Sequence, residues 1–352
     1  MLPVPQPDYS SLRAGAVWFD RSARTRTRFA GPKAAEVLNG LVTNDVTALT
    51  PGQGQYAAAL TPKGKIVADL RILVFDGSVL VDLVPAAGPG WQSLVRKYVN
   101  PRLSKYTDET EALADIGVFG PRAADTLARA LGANASALQA LEPYHHVGLA
   151  DAAVAVRTAD LGGDVPGFDV LVQQESRARV IERLSAAGAV PGSPATWTTA
   201  RIEAGRPEWG IDMDDSTLPQ EANLDKLDAI SHTKGCYTGQ EVVARIHFRG
   251  HVNRHLRGLL FRSPALPSVR TQLVGEGGAV VGDVRSSALS PRYGPIGLGM
   301  IRRDMAAGTL VTAGPLESSA ESATPTTAAI APLPFASVSY THLRAHETGR
   351  NL

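Results

Sequence analysis

The only cysteine of the chain lies in the stretch Lys234-Gly235-Cys236-Tyr237-Thr238-Gly239-Gln240-Glu241. Two glycines bracket the thiol, and glycine permits the tight backbone conformations of a loop, so the pattern predicts a loop, shaped by Gly235 and Gly239, that presents Cys236. Lys234 and the backbone N–H groups of such a loop favour the thiolate, which is the nucleophilic and metal-binding form of cysteine. Gln240 and Glu241 follow as groups that can orient or deprotonate a neighbour.

Two interpretations of Cys236 compete. A lone cysteine is commonly a small buried hydrophobic side chain, whereas the flanking charge and glycines favour a functional thiol. A single cysteine excludes an intramolecular disulfide and any all-cysteine metal site within one chain. It leaves open a mixed disulfide, or one ligand given to a cluster shared with another protein. No other metal site is expected.

The composition sets broad limits on the fold and on partners. The chain has 352 residues, of which 44% are hydrophobic, enough for a sizeable core in two or three domains. With 35 basic and 34 acidic residues the formal charge is +1, which does not call for nucleic acid or a membrane as partner. No stretch approaches the roughly 18 apolar residues of a membrane helix, and one cysteine fits a reducing, cytoplasmic setting.

Hydrophobic patterns predict a mixed α+β architecture. Residues 66–75 alternate Val67, Asp69 and Arg71 against Ala68, Leu70 and Ile72, as a strand does. Strands and helices are interleaved over residues 113–195, which makes a ferredoxin-like layout plausible there. Short strand-like pieces separated by Gly- and Pro-containing turns follow from His255 onward and suggest a small antiparallel β-barrel.

Two C-terminal stretches read differently from the rest. Residues 318–332 are rich in Ala, Thr, Ser and Pro and are predicted to be disordered. Residues 337–352 have no apolar period; we interpret the segment 336–352 as a disordered tail of foreign origin.

Several charged residues outside the thiol loop are candidate ligand contacts. Glu203 ends a predicted helix beside Gly205, and one carboxylate can bind the paired N–H donors of a heterocycle such as a pterin. Glu221 is a second candidate; a solvated helix end and a helix N-terminal carboxylate are the plain alternatives for the two. A basic run follows the thiol loop, and it is either a solvated face or a cationic wall for a polyglutamate tail, phosphate or RNA. Its members are Arg245, His247, Arg249, His251, Arg254, His255 and Arg257.

The octapeptide 234–241 resembles the signature of the YgfZ group of folate-binding proteins, whose mitochondrial relatives assist iron–sulfur cluster assembly. The wider chain, from Leu12 to Phe335, resembles the glycine cleavage T-protein (aminomethyltransferase) superfamily. The matching pieces are Asn39-Gly40-Leu41-Val42-Thr43-Asn44-Asp45-Val46, Leu60-Thr61-Pro62-Lys63-Gly64-Lys65-Ile66, Arg201-Ile202-Glu203-Ala204-Gly205, Gly210-Ile211-Asp212 and Leu218-Pro219-Gln220-Glu221.

The resemblance implies a three-domain cloverleaf around a folate-binding channel. It implies a central domain of residues 12–112 and 196–252, a ferredoxin-like domain of residues 113–195 and a C-terminal barrel of residues 253–335. By position, Glu203 resembles the glutamate that holds the pterin, with Glu221 and Arg245 as further folate contacts. The segment expected to hold a catalytic aspartate, residues 81–90, offers only Asp82, in the wrong context for that role.

These expectations favour a tetrahydrofolate-binding accessory protein that assembles or repairs iron–sulfur clusters in client enzymes, including tRNA-modifying ones. Cys236 would be its functional thiol and a transient ligand of a shared cluster. Lys234 would stabilise the thiolate, and Tyr237, Gln240 and Glu241 would support the loop. The first alternative is a folate-dependent aminomethyltransferase. The second is an RNA-binding module that uses the basic run, which the near-neutral charge disfavours.

Overall fold

The structure, a computed structural model, describes residues 7–161, 165–314 and 325–335. Its helices are α1 (Pro7–Ala14), α2 (Ala34–Asn39), α3 (Gly88–Tyr98), α4 (Ala123–Leu131), α5 (Ala135–Gln139), α6 (Arg177–Ala186), α7 (Pro194–Glu203) and α8 (Gln240–Arg249). Its strands are β1 (Val17–Asp20), β2 (Thr25–Ala30), β3 (Gly54–Leu60), β4 (Ile66–Phe75), β5 (Ser78–Leu83), β6 (Lys105–Asp108), β7 (Leu113–Phe119), β8 (His146–Gly148), β9 (Val154–Arg157), β10 (Gly167–Gln173), β11 (Val190–Pro191), β12 (Arg254–Phe261), β13 (Gln272–Val274), β14 (Val280–Ser290), β15 (Gly294–Arg302), β16 (Leu310–Ala313) and β17 (Thr326–Ala331).

A five-stranded antiparallel sheet has the order β3-β4-β5-β2-β6. The alternation along β4 produces the expected two faces, since Ala68, Leu70 and Ile72 are buried in one core with Trp91 of α3. Asp69 and Arg71 therefore project from the opposite face, because successive side chains of a strand point to opposite sides. This polar face of β4 is the surface on which the candidate site is built.

A six-stranded sheet has the order β11-β1-β7-β10-β9-β8. Helices α4 and α6 cover it, and Leu127 and Leu184 are buried against its strands. Strand β1 pairs with β7 and β11 in this sheet. Pairing with distant strands is a long-range contact that the local pattern of β1 does not encode.

The C-terminal strands form a closed antiparallel barrel in the order β12-β15-β14-β13-β16-β17, which confirms the predicted small barrel. The expectation of disorder over residues 318–332 is wrong where it covers β17, because this strand pairs with both β12 and β16 and closes the barrel. Its residues are mostly alanine and threonine. This composition does not indicate a strand, and the strand is stabilised by pairing with its neighbours. Residues 315–324 and the suspected foreign tail at 336–352 lie outside the described residues.

Helix α7 joins the barrel to the six-stranded sheet. Its Ile202 is buried with Leu256 and Leu298 of the barrel, while its Ala200 is buried with Val17 and other side chains of the six-stranded sheet. One helix thus fixes two of the structural units around the cavity described below. Within the described ranges, no helix has both the length and the apolar character needed to cross a bilayer.

Candidate functional site

A cavity of about 130 Å³ lies where the two sheets and α7 meet. Its wall carries aromatic rings from each unit, including Tyr56 of β3, Phe119 of β7 and Trp197 of α7. Asp69 of β4 and Arg206, just after α7, are among its charged residues. Two neighbouring cavities share wall residues with it: one shares Tyr56, Tyr144, Ala159 and Arg206, the other Arg21, Arg24, Val84, Trp197 and Glu208. Concave sites with aromatic walls and a few polar groups are typical of small-molecule binding.

Asp69 is the carboxylate of this cavity with an uncommitted oxygen. The hydroxyl of Tyr56 donates to its Oδ2 at 2.7 Å, whereas Oδ1 is shielded from solvent and has no hydrogen-bond partner among the described residues. Burial raises the pKa of Asp69, and the Tyr56 hydrogen bond offsets this only in part. A carboxyl group with a raised pKa and one free oxygen in a cavity is suited to proton transfer.

Tyr56 and Tyr144 hold the Asp69 side of the cavity in shape. Their rings stack with centroids 6.1 Å apart and planes inclined by 11°. Tyr144 adopts a left-handed backbone conformation with φ of 69°, which is uncommon outside glycine and clusters at functional sites. Arg206 Nη1 donates to the Tyr144 hydroxyl at 3.4 Å. The sequence analysis had identified Asp69 only as part of a strand; its position two residues from Arg71, on the same polar face, was the available signal.

The segment 81–90, where a catalytic aspartate was sought, does not supply the acid of the cavity. Asp82 is fully buried and forms ion pairs with Arg24 at 2.5 Å and Arg71 at 2.8 Å. Burial raises its pKa, but the charges of Arg24, Arg71 and Arg26 outweigh burial and hold the pKa well below its ordinary value. Asp82 is therefore a permanently ionised structural group, and the acid that faces the cavity lies on the adjacent strand β4.

The thiol loop lies apart from the residues that line the cavity. Cys236 is exposed, as predicted. Gly239 has φ of 83°, and a Cβ there would lie 2.6 Å from the carbonyl oxygen of Thr61, so this position requires glycine. Gly235 does not have this constraint, since a Cβ there would meet nothing within 4 Å. Tyr237 is buried in a core with Tyr56. Gln240 and Glu241 begin α8.

Lys234 has a different role from the one expected. Its Nζ donates to the carbonyl oxygens of Asn39, Val42 and Asn44 at 2.6, 2.8 and 2.8 Å. An ammonium group has three N–H donors, so these bonds leave none for the Cys236 thiolate. Burial lowers the Lys234 pKa to about 8, although Asp45 acts in the opposite direction. These hydrogen bonds hold the end of α2 and the segment after it against the thiol loop.

Replacing Lys234 with methionine is therefore expected to destabilise the fold rather than alter the thiol. The variant leaves three carbonyl oxygens without their donor, and we expect a loss of about 2–4 kcal/mol in the free energy of unfolding. Urea unfolding measures this change, and the rate of Cys236 alkylation by iodoacetamide at pH 7.5 measures the thiol. Lys63→Met, at an exposed position in the turn before β4, is the control. An unchanged stability with slower alkylation would restore the thiolate role.

The three residues predicted to contact folate are not brought together. Glu203 is 1% exposed; Tyr9, Ser290 and Arg13 all bond its carboxylate. Glu221 caps its own loop by accepting from the Leu218 N–H at 2.8 Å and pairs with Arg254 at 3.0 Å. Arg245 lies on the exposed side of α8. None of the three lines the central cavity, and their roles in folate binding stay predictions. Across the described ranges, no group of three or more His, Cys, Asp or Glu side chains is arranged to hold a metal ion.

Comparison with known proteins identifies the family. The model of the GCVT N-terminal domain matches residues 3–231. The chain belongs to the glycine cleavage T-protein superfamily. The aminomethyltransferase of Nitrosomonas europaea is 30% identical over 320 residues, covering 86% of this chain and 83% of that protein. The aminomethyltransferase of Nostoc sp. is 29% identical over 307 residues, covering 85% and 80%.

The fold comparison agrees with this family. The crystal structure of the glycine cleavage system aminomethyltransferase T from Bartonella henselae superposes with a TM-score of 0.82 at 21% identity, covering 94% of this chain and 89% of that one. The predicted T-protein-like α+β fold is thereby confirmed. The prediction of an iron–sulfur assembly function is wrong, because the relatives that match most of the chain carry the name aminomethyltransferase. The thiol motif that carried the prediction is eight residues long and lies outside the cavity wall.

Proposed function

We propose that this protein is a folate-dependent aminomethyltransferase whose chemistry takes place in the central cavity, with Asp69 as the residue that moves the proton. The observation that carries the proposal is the free, shielded Oδ1 of Asp69 in a chain whose relatives are aminomethyltransferases. Placement in the YgfZ-type group rests only on the octapeptide 234–241. A cytoplasmic setting and the three-domain boundaries given above remain part of the same proposal.

The residues of the cavity fit a reduced folate. A pterin is flat and presents ring N–H donors, and the cavity offers aromatic walls together with one carboxylate oxygen that lacks a donor. Such a buried acceptor without a partner is costly unless a ligand or water satisfies it. Trp197, Tyr56 and Tyr144 would contact the heterocycle, and Asp69 would accept its N–H or exchange its proton. When bound, folate supplies the nitrogen that takes up the one-carbon unit.

The chain's own residues define the proton transfer. Tyr56 holds Oδ2 of Asp69 by donating its hydroxyl proton, which leaves Oδ1 as the oxygen without a hydrogen-bond partner among the described residues. Formation of a one-carbon folate from the aminomethyl group breaks the bond from its carbon to the amine, which leaves as ammonia, and the bond from its carbon to the carrier. Each leaving group must gain a proton given up by an acceptor nitrogen, and the Asp69 carboxylate would take up and return such a proton. Burial favours protonation of the Asp69 carboxylate, while the Tyr56 hydrogen bond and the charge of Arg24 oppose it. The balance sets the raised pKa described above.

A turnover assay tests the proposal. Purified protein is incubated with tetrahydrofolate and an aminomethyl-loaded carrier protein of a glycine cleavage system, and release of ammonia is followed together with formation of the one-carbon folate. Both products are expected in equal amounts. Calorimetry with tetrahydrofolate is run in parallel, so that binding is measured independently of turnover. Binding without turnover would reduce the assignment to a folate-binding protein, and the absence of both would overturn it.

A further inference from the structure

Strand β6 is an open edge of the five-stranded sheet. It is the last strand in the sheet order, and within the described ranges it pairs with β2 alone. All four of its residues are exposed. The outer side of such a strand presents backbone N–H and C=O groups that have no partner in the sheet, and these groups are a template for pairing with another strand.

The hydrogen bonding between β6 and β2 shows which backbone groups point outward. The N–H of Glu109, one residue past β6, donates to the carbonyl oxygen of Arg26 in β2 at 3.0 Å. In an antiparallel ladder, residues that bond to one neighbouring strand alternate with residues that face the other way. The odd-numbered residues of β6 therefore bond to β2, whereas the N–H and C=O groups of Tyr106 and Asp108 point away from the sheet.

Apolar side chains and a groove accompany this edge. Eight large hydrophobic side chains of the described residues are exposed, and three of them, Tyr98, Leu103 and Tyr106, lie within one nine-residue stretch. A groove of about 240 Å³ lies between α3 and β6, and it is lined by Thr27, Gln92, Val95, Arg96, Tyr106 and Asp108. An open strand edge with a groove beside it is the arrangement that proteins use to add a strand.

The charges along the edge favour a second copy of this chain as the added strand. A lysine on an edge strand commonly opposes pairing with an unrelated strand, and Lys105 is exposed without an ion pair among the described residues. When two identical strands pair antiparallel about a two-fold axis through Thr107, Lys105 lies opposite the partner's Glu109, and symmetry makes this pair twice. Glu109 is 21% exposed at its side chain although it pairs with Arg28, so it can accept a second cation. Opposite charges directly across two strands stabilise the pairing.

The backbone groups select the same register. With the axis through Thr107, Tyr106 lies opposite the partner's Asp108, and these are the residues whose N–H and C=O groups point outward. The two symmetric pairs exchange four backbone hydrogen bonds. With the axis through Tyr106 the outward groups also meet, but Lys105 then lies opposite the partner's Thr107 and gains no carboxylate. The register centred on Thr107 therefore satisfies both the backbone and the charge.

We propose that β6 pairs with β6 of a second copy, about a two-fold axis through Thr107, to form a homodimer with a continuous ten-stranded sheet. The partner's Tyr106 would lie on the α3 side of the sheet, where the groove can receive its ring. Because the strand is short, we expect a weak dimer that forms with rising concentration. Residues 105–109 do not line the central cavity, so the dimer is independent of the proposed function.

Sedimentation velocity of the full chain from about 1 to about 200 μM, the range in which a micromolar interface becomes populated, tests for the dimer. Tyr106→Pro removes an outward N–H and no bond to β2, because an edge strand tolerates proline where its nitrogen faces solvent. Tyr106→Ala loses the same ring but keeps the N–H, and it is the matched control. The dimer Kd is expected to be at least about 10-fold higher in Tyr106→Pro than in Tyr106→Ala. Equal thermal unfolding of the two variants at about 1 μM, where the chain is monomeric, checks that β6 is intact.

A charge exchange tests the register. Lys105→Glu sets like charges opposite each other at both ends of the dimer, and so does Glu109→Lys; each variant alone is expected to raise the Kd at least about 10-fold. In an equal mixture of the two variants, both cross-strand pairs of the heterodimer again join opposite charges. Its Kd is expected to return to within about 3-fold of the wild-type value. A fluorophore on the exposed Cys236 of one variant reports the heterodimer, and Lys63→Glu, at an exposed residue before β4, is the control.

Three results would overturn the proposal. The first is a chain that stays monomeric up to about 200 μM. The second is a dimer that Tyr106→Pro and Tyr106→Ala weaken equally, because such a dimer would use another surface. The third is a mixture of the two charge variants that dimerises no better than either variant alone, because the strands would then not pair about Thr107. Loss or retention of turnover bears on the enzymatic proposal alone.

Discussion

Asp69→Asn is expected to lower kcat for aminomethyl transfer by about 10²- to 10⁴-fold, the usual contribution of a positioned general acid or base. Asparagine has the same shape and can still accept the hydrogen bond from Tyr56, so the cavity is expected to keep its form. Its amide cannot take up and return a proton at the position of Oδ1. Calorimetric affinity for tetrahydrofolate should therefore change far less than kcat.

The pH profile separates a chemical role of Asp69 from a structural one. Burial raises the pKa of Asp69 above its ordinary value of 3.8, and the ionised form is the base. The kcat/KM of the wild-type enzyme should fall as the pH drops through this raised pKa, and the limb should vanish in Asp69→Asn. Asp108→Asn, on the exposed strand β6, is the control. Retention of more than half of the wild-type kcat in Asp69→Asn, with a native circular dichroism spectrum, would contradict the assignment.

The local sequence pattern was enough to predict much of the fold but little of the candidate site. The period-two alternation of β4 follows from burial of one face, so the strand could be predicted to the residue. Strand β17 could not, because a run of alanine and threonine is a strand only when β12 and β16 lie on either side of it.

The roles of Asp69 and Lys234 could not be predicted from the sequence for a related reason. The residues next to Asp69 in the sequence do not indicate that the Tyr56 hydroxyl donates to one of its carboxylate oxygens and that the other has no hydrogen-bond partner. The residues next to Lys234 do not indicate that its ammonium group donates hydrogen bonds to three carbonyl oxygens nearly 200 residues away in the sequence. The reactive-looking thiol was prominent in the sequence because its neighbours are local, whereas a cavity is assembled from distant strands.

A second large effect, on the free energy of unfolding, is expected when the buried ionic cluster between the two sheets is disrupted. Arg71 of β4 contacts Asp82 of β5, Asp115 of β7 and Asp169 of β10, and Arg21, after β1, pairs with Asp169 at 2.7 Å. All three aspartates are 0% exposed. Burial and the charge of Asp169 raise the Asp115 pKa to about 6, even with Arg21 and Arg71 nearby. Arg71 is thus the cation common to the three carboxylates, and it ties the five-stranded sheet to the six-stranded one.

Arg71→Met keeps much of the side-chain volume and removes the shared charge. Removing one partner of a buried ionic network leaves uncompensated charge, and we expect a loss of about 3–5 kcal/mol in the free energy of unfolding at pH 7. Urea denaturation gives the value. Arg28→Met is the matched control, because Arg28 pairs with Glu109 at 2.7 Å while both remain partly exposed, and such a pair contributes about 1 kcal/mol or less.

The pH dependence of this difference identifies its electrostatic origin. Without Arg71 the three aspartates become harder to ionise, so their folded-state pKa values rise and the folded variant binds more protons than the folded wild type on acidification. Since stability falls with rising pH wherever the folded state binds more protons than the unfolded state, the variant recovers relative to the wild type as the pH drops through the variant's own raised pKa values, which for Asp115 lie above the wild-type value of about 6. The gap between the two proteins should therefore be smaller at pH 5 than at pH 7. If the difference in the free energy of unfolding stays constant over this range, its cause is lost packing of the Arg71 side chain. If the difference is no larger than that of Arg28→Met, the ionic cluster does not stabilise the contact between the two sheets.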